Sequence, residues 1–229
     1  MNDNEATMRS RVTFPKFWVG FFFVAVSLLV WLFWPIKIVE RMDLGHNPEY
    51  GFLQRYVDVT PLHTYLAYHF VVLSVLTGWA YWLHGIRRLH DVMAKATDGR
   101  HPVSPKRAVW PHLIPFYNLY WAFRWPEEIA HSIYQRSYQL MSDKVYGVVL
   151  LVALLAQYTI VIDVLYLMPT AREAMQTAYG LSPLGLLNLA VILRAVALTA
   201  AILVGMTVSK AIGRMITAPD DNKLTPSQG

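Results

Sequence analysis

The chain has 229 residues, of which 55% are hydrophobic and 15% charged, and its formal net charge is +5. A soluble domain is about half apolar and about a quarter charged, whereas here the charges are gathered between long uncharged runs. That excludes a disordered chain and a typical soluble enzyme. The absence of cysteine excludes a disulfide scaffold, a thiolate metal site and a catalytic thiol.

Residues 1–16 carry Arg9, Arg11 and Lys16 ahead of an uncharged, very aromatic run from Phe17 to Ile36. The run is too long for a signal peptide and no small-residue cleavage site follows, so an uncleaved first span is expected. Three more stretches reach the ~20 residues that cross a bilayer: 61–86, closed by Arg87 and Arg88; 145–168, interrupted by Asp163; and 183–209, interrupted by Arg194. With both termini inside, fifteen Lys and Arg face the cytoplasm and four face out, the arrangement that the positive-inside rule selects. This topology accounts for the basic charge, and no soluble domain presents a basic stretch, so no nucleic-acid partner is expected.

Between spans two and three the second helix continues past the membrane through Ile86, Leu89 and Met93, and Asp98-Gly99 stops it. Ser104-Pro105 reads as an N-cap and first helical residue. The uncharged run 108–123 is too short to cross and contains Pro111 and Pro115. Its flanks are both positive and belong on one side. Segment 105–125 therefore reads as interfacial or re-entrant, with Trp110, Phe116, Tyr117, Tyr120, Trp121, Phe123 and Trp125 at headgroup level. Pro115 and Asn118 shape its turn, and Arg87, Arg88, Lys106, Arg107 and Arg124 are placed to meet anionic headgroups or a partner. A cytoplasmic helix is expected over 126–143, opened by Pro126, Glu127 and Glu128. The polar tail 218–229, with Pro219 and Pro226, is expected to be disordered. The whole is an all-α polytopic protein: one four-helix transmembrane domain over 17–217.

Asp163 and Arg194 are costly in a bilayer and must pair or face a cavity. Matching depths on antiparallel neighbours sets Gln157 level with Arg194. Asp163 is offset from Arg194 by about 9 Å along the axis, with the two side chains leaning toward each other. A buried ion pair fixing helix register is the plain reading, and a proton or ion relay the functional one. Arg194 shares a face with Ala190, Ala197, Ala201 and Gly205, whose small side chains permit close helix contact.

The second span carries Tyr65, His69, Thr77 and Tyr81 near one face, with His84 beside it. A hydrogen-bonded polar face inside the bundle is expected. No other span offers a facing histidine, which disfavours a bis-histidine haem; a single-histidine pigment at His69 is the weak remaining cofactor reading, and no cofactor is expected. No metal site is expected either. His84, His90 and Asp91 do not share a ligand spacing, and an approach of His112 to His131 depends on the fold. No phosphate-binding glycine loop or nucleophile elbow occurs.

From about Trp82 through Ile133 the chain resembles an uncharacterised bacterial family of multi-pass membrane domains. The likeness rests on Ser104-Pro105, Ala108-Val109-Trp110, and Ile114-Pro115-Phe116-Tyr117-Asn118-Leu119 between spans two and three. One departure is that Tyr120-Trp121-Ala122 follow where the family places a proline. Arg87-Arg88-Leu89-His90-Asp91 is similar to a juxtamembrane motif of another uncharacterised inner-membrane family. Neither resemblance implies a reaction.

With no recognisable catalytic set, many aromatics and small-residue helix faces, the expected function is a non-catalytic accessory or scaffold subunit of a bacterial inner-membrane complex, an energy-transducing one being the suggested context. Its partners would be lipids and other subunits or itself. The alternative is a small oligomeric transporter or channel that uses Asp163, Arg194 and the polar face of the second span.

Overall fold

The computed structural model describes residues 13–42, 61–97, 99, 101–134, 143–159, 161, 177 and 183–217. Among the described residues the fold is all-α, with six α-helices: α1 Gly20–Met42, α2 Pro61–Ala96, α3 Pro105–Leu113, α4 Tyr117–Tyr134, α5 Asp143–Leu155 and α6 Pro183–Thr217. Short 3-10 turns at Phe17–Val19 and Ala156–Thr159 precede α1 and follow α5. Within α6, Asn188–Ile216 is long and apolar enough to cross a membrane, and Phe17–Leu32 is a shorter apolar helical stretch.

Helix ends follow local chemistry. Pro61 and Pro183 open α2 and α6 at positions where a missing N–H is harmless. Asp143 sits in the first turn of α5, where a carboxylate meets the positive end of the helix dipole. The Ser104 hydroxyl caps α3 by accepting from the Arg107 N–H at 3.3 Å, with Pro105 as the first helical residue. α2 stops where Gly99 takes a φ of +78° and its N–H returns to the Ala94 carbonyl.

Pro126 does not open a helix. It lies inside α4, which starts nine residues earlier at Tyr117. The missing backbone bond is outweighed by burial: Trp121, Ala122, Trp125 and Ile129 all turn inward across that stretch. Pro115 does break the chain as expected, and the turn it makes puts Phe116 at φ +62°. A bulky side chain there costs about 1–2 kcal/mol, offset by the bonds that the turn makes, Tyr117 N–H to the Pro115 carbonyl and Asn118 N–H to that of Ile114.

The chain divides into two compact units. The second, Phe17–Leu83 with Val149–Leu203, packs segments of α1, α2, α5 and α6. Its interior holds Val24, Val71, Val75, Trp82, Leu150, Ala153, Leu198 and Ile202. Helices approach closely where side chains vanish. A Cβ on Gly78 would lie 2.5 Å from Leu198 Cδ2, and one on Gly20 would lie 2.7 Å from Ile202 Cδ1. The Trp82 indole N–H donates to the Ala201 carbonyl at 2.8 Å and ties α2 to α6.

The described surface of this unit is largely apolar, with His69 and Thr77 exposed on α2 as polar exceptions. Trp18, Phe22 and Leu32, then Leu73, Val152, Ile192 and Val196, are exposed, while Ser27, Ser74 and Arg194 are buried. The hydroxyls of Ser27, Thr77 and Thr199 each return to a carbonyl four residues back in their own helix.

The first unit comprises Met1–Lys16, His84–Val148 and Val204–Gly229. Here α3 and α4 pack as a helical hairpin. The Trp121 indole N–H donates to the Ala108 carbonyl at 3.3 Å across it. Val208, Ile212 and Met215 of α6 and Leu89, Val92 and Met93 of α2 are buried in this unit.

Candidate functional site

α2 runs its buried face through Ile86, Leu89 and Met93, and the same face carries His90, whose side chain is fully enclosed. The connection to α3 brings in His101, α3 contributes His112, and α4 contributes Trp125. His90 Nδ1 lies 2.8 Å from His101 Nε2, and the Trp125 indole Nε1–H donates to His90 Nε2 at 2.8 Å. The His90 and His101 rings are 5.0 Å apart, and His112 meets the Trp125 ring edge-on at 6.2 Å.

This geometry assigns the protons. An indole N–H only donates, so His90 Nε2 is an acceptor and carries no hydrogen. A neutral His90 then holds its proton on Nδ1 and donates it to His101 Nε2. His101 in turn carries its own proton on Nδ1. The hydrogen bonds therefore run one way, from Trp125 through His90 to His101.

Burial enforces the neutral state. Desolvation first, then the neighbouring His101 and His112, bring the His90 pKa from 6.5 down to about 3. Burial alone brings His112 from 6.5 down to about 3. His101 is lowered by burial against the opposing pull of the Glu128 carboxylate. Chemically, His90 has no ring nitrogen left over for a substrate proton or a metal. Among the described residues no group of three histidine or acidic side chains is placed to hold a metal ion.

The candidates expected from sequence are dispersed. Asp163 and the side chain of Tyr65 lie outside the described residues, as do 218–229. Arg194 is buried, and its Nε–H donates to Thr159 Oγ1 at 2.9 Å, while that hydroxyl donates to the Ala156 carbonyl at 2.6 Å. Gln157, half-buried, turns back to the Ala153 carbonyl at 3.4 Å. On α2, His69, Thr77 and His84 are exposed and Tyr81 is half-buried against Phe23. The polar stripe thus lies on the outer side of α2 and not inside the bundle, because Gly78, Val75 and Trp82 supply the face that packs.

The aromatic segment divides by face. Trp121, Trp125 and Asn118 are buried, whereas Trp110, Pro115, Tyr117 and Tyr120 are exposed. Arg88 Nη2 donates to Thr13 Oγ1 at 3.0 Å, and Arg87 is exposed. Arg124 pairs with Glu127 at 3.0 Å and Glu128 at 2.6 Å. His112 is buried and His131 exposed.

Sequence reasoning missed the His90–His101–Trp125 chain and the Thr159 partner of Arg194. A signal for the first was present: His90 continues the Ile86, Leu89, Met93 stripe. Thr159 falls in the 3-10 turn after α5, where helical register no longer predicts facing residues.

Compared with family models, with curated proteins and with solved structures, the chain matches none.

Proposed function

We propose that this is a four-span inner-membrane protein, with both termini cytoplasmic, that serves as a non-catalytic accessory or scaffold subunit of a larger bacterial membrane complex. The observation that carries this reading is the inverted surface of the second unit. Helices α1, α2, α5 and α6 turn Phe22, Leu73, Val152 and Val196 outward and keep Ser27, Ser74 and Arg194 inside. Large apolar side chains are exposed on all four of these helices, with His69 and Thr77 the polar exceptions on α2, and hydrocarbon tolerates such a surface better than water does. The distribution of Lys and Arg supports the orientation. The resemblance around Ile114-Pro115 and Asn118-Leu119 supports a bacterial membrane setting.

The polar groups support scaffolding over chemistry. Both ring nitrogens of His90 are engaged inside the protein. Arg194 bonds the Thr159 hydroxyl across two helices. Each arrangement fixes helices against one another.

The alternative, a small oligomeric transporter, draws on Arg194 lying buried beside a 3-10 interruption. Because His69, Thr77 and His84 face out of α2, such a path would have to form between copies.

The test is the native mass of the protein drawn from its own membrane in mild detergent. The proposal expects co-purifying subunits in fixed stoichiometry. A bare monomer or homo-oligomer carrying only lipid would refute it and favour transport.

A further inference from the structure

We propose that the α3–α4 hairpin is a membrane-inserting tip: its apex enters the acyl region of an anionic bilayer while Lys106 and Arg107 hold the headgroups. The inference rests on the membrane reading above and adds a lipid contact made by the first unit.

Its basis is a layered order along both arms of the hairpin. At the apex, Ile114 and Phe116 are exposed, Phe116 at 77%. The φ of +62° at Phe116 is what turns the chain there, so the outward aromatic is built into the turn. Behind the apex come Trp110 on α3 and Tyr120 on α4, 63% and 58% exposed. Indole and phenol rings with one wet end settle at the level of the headgroups. Behind these come the charges, Lys106 and Arg107 on α3 and the Arg124–Glu127 pair on α4. Lys106 to Leu113 and Tyr117 to Arg124 are each seven residues, about 10 Å along a helix. An interfacial helix buries its apolar side about 5–10 Å deep. Both arms therefore reach their charged layer at the depth where the headgroups lie.

The inward face of the same hairpin is already occupied, with Ala108, Trp121, Ala122 and Trp125 buried in the first unit. Only the outer face is available for lipid. Arg124 is neutralised by Glu127 and Glu128, so the preference for anionic lipid falls to Lys106 and Arg107, both exposed. Apolar apex, aromatic collar and exposed cations with no ion pair among the described residues together fit an anionic lipid surface better than a protein groove, which would not need that order of depth.

The chain lacks cysteine, so single cysteines report cleanly. Phe116→Cys, Lys106→Cys and Val196→Cys are labelled with an environment-sensitive dye and the full chain is reconstituted in phosphatidylcholine–phosphatidylglycerol vesicles. Nitroxides in the headgroup or the acyl chain and aqueous iodide are the quenchers. We expect the dye at 116 to be quenched several-fold more by acyl-chain nitroxide than by iodide, and the dye at 106 to be quenched best from the headgroup. In the Lys106→Gln/Arg107→Gln variant, the preference for an anionic over a neutral spin-labelled lipid should fall about fivefold per cation removed.

Ile114→Cys repeats the measurement should the dye at 116 disturb the turn. Iodide quenching at 114 and 116 as fast as for free dye, with acyl quenching intact at 196, overturns the insertion alone. Loss of acyl quenching at 196 as well overturns the membrane reading on which it rests. Shielding at 116 found only in native membranes identifies a protein partner, and shielding lost on dilution to one copy per vesicle identifies a second copy. Either result overturns the lipid assignment.

Discussion

Acidification should destabilise this protein through its enclosed histidines, by an amount that the structure sets. His90 and His112 have their pKa values brought from 6.5 to about 3 by burial. In the unfolded chain both titrate near the ordinary value, so below it the unfolded state binds protons that the folded state refuses. Stability is full above the unfolded pKa, falls as the pH drops through it, and levels off only near the folded value. Each ring then costs about 1.4 kcal/mol per pH unit, or about 2 kcal/mol on going to about pH 5. The two together give about 4 kcal/mol, a large share of the ~5–15 kcal/mol that holds a domain. His101, lowered by burial against Glu128, acts in the same direction. The assay is a reversible denaturant series in detergent micelles across this pH range, read by tryptophan fluorescence, to which the buried Trp121 and Trp125 contribute. In His112→Leu one ring's share of the slope should vanish. A wild-type stability that is flat with pH, or a His112→Leu slope equal to the wild-type one, would refute the reasoning.

Other substitutions follow from single contacts. Trp125→Phe removes the donor to His90 Nε2 and should destabilise by about 1–3 kcal/mol in the same micelle assay; nitrogen NMR should show His90 still in the Nδ1–H tautomer, held by its bond to His101, with the Nε2 resonance shifted by the loss of its donor. Gly147→Ala would place a Cβ 2.5 Å from Phe123 Cδ1 and 3.3 Å from its Cα, and should lower stability by about 1–3 kcal/mol through overpacking. Thr159→Val takes the acceptor from Arg194 Nε and should cost about 1–3 kcal/mol, whereas Thr159→Ser, keeping the oxygen, should recover most of the loss.

The sequence is most legible where chemistry is local. Ser104-Pro105 announced the start of α3, Gly99 the end of α2 and Pro115 the break before Phe116. Each depends on a cap or a dihedral preference within a few residues. The Ala190, Ala197 and Ala201 face of α6 was also readable, because helical spacing alone puts these residues together, and all are buried beside Arg194. Two readings failed for tertiary reasons. Pro126 looks like a helix start by propensity, yet burial of Trp121 and Trp125 carries the helix through it. The polar stripe of α2 looked like an inner face, yet Gly78 drew that helix close to Leu198 on its other side. The histidine chain was hidden because its members come from α2, a connecting segment and α4, and no spacing rule joins residues 90, 101 and 125.

Cysteine scanning of α6 tests the central claim most directly, since that helix separates the scaffold reading from the transport one. Single cysteines at Ile192 and Val196, both exposed, and at Ala197 and Ala201, both buried, are probed in membranes with acyl-chain nitroxide and a small aqueous maleimide. A lipid-embedded scaffold predicts strong nitroxide contact at 192 and 196 and protection from both probes at 197 and 201. Fast maleimide reaction at 197 and 201 would place water along the inner face and contradict the scaffold account, and maleimide reaction at 192 and 196 would contradict the lipid contact itself.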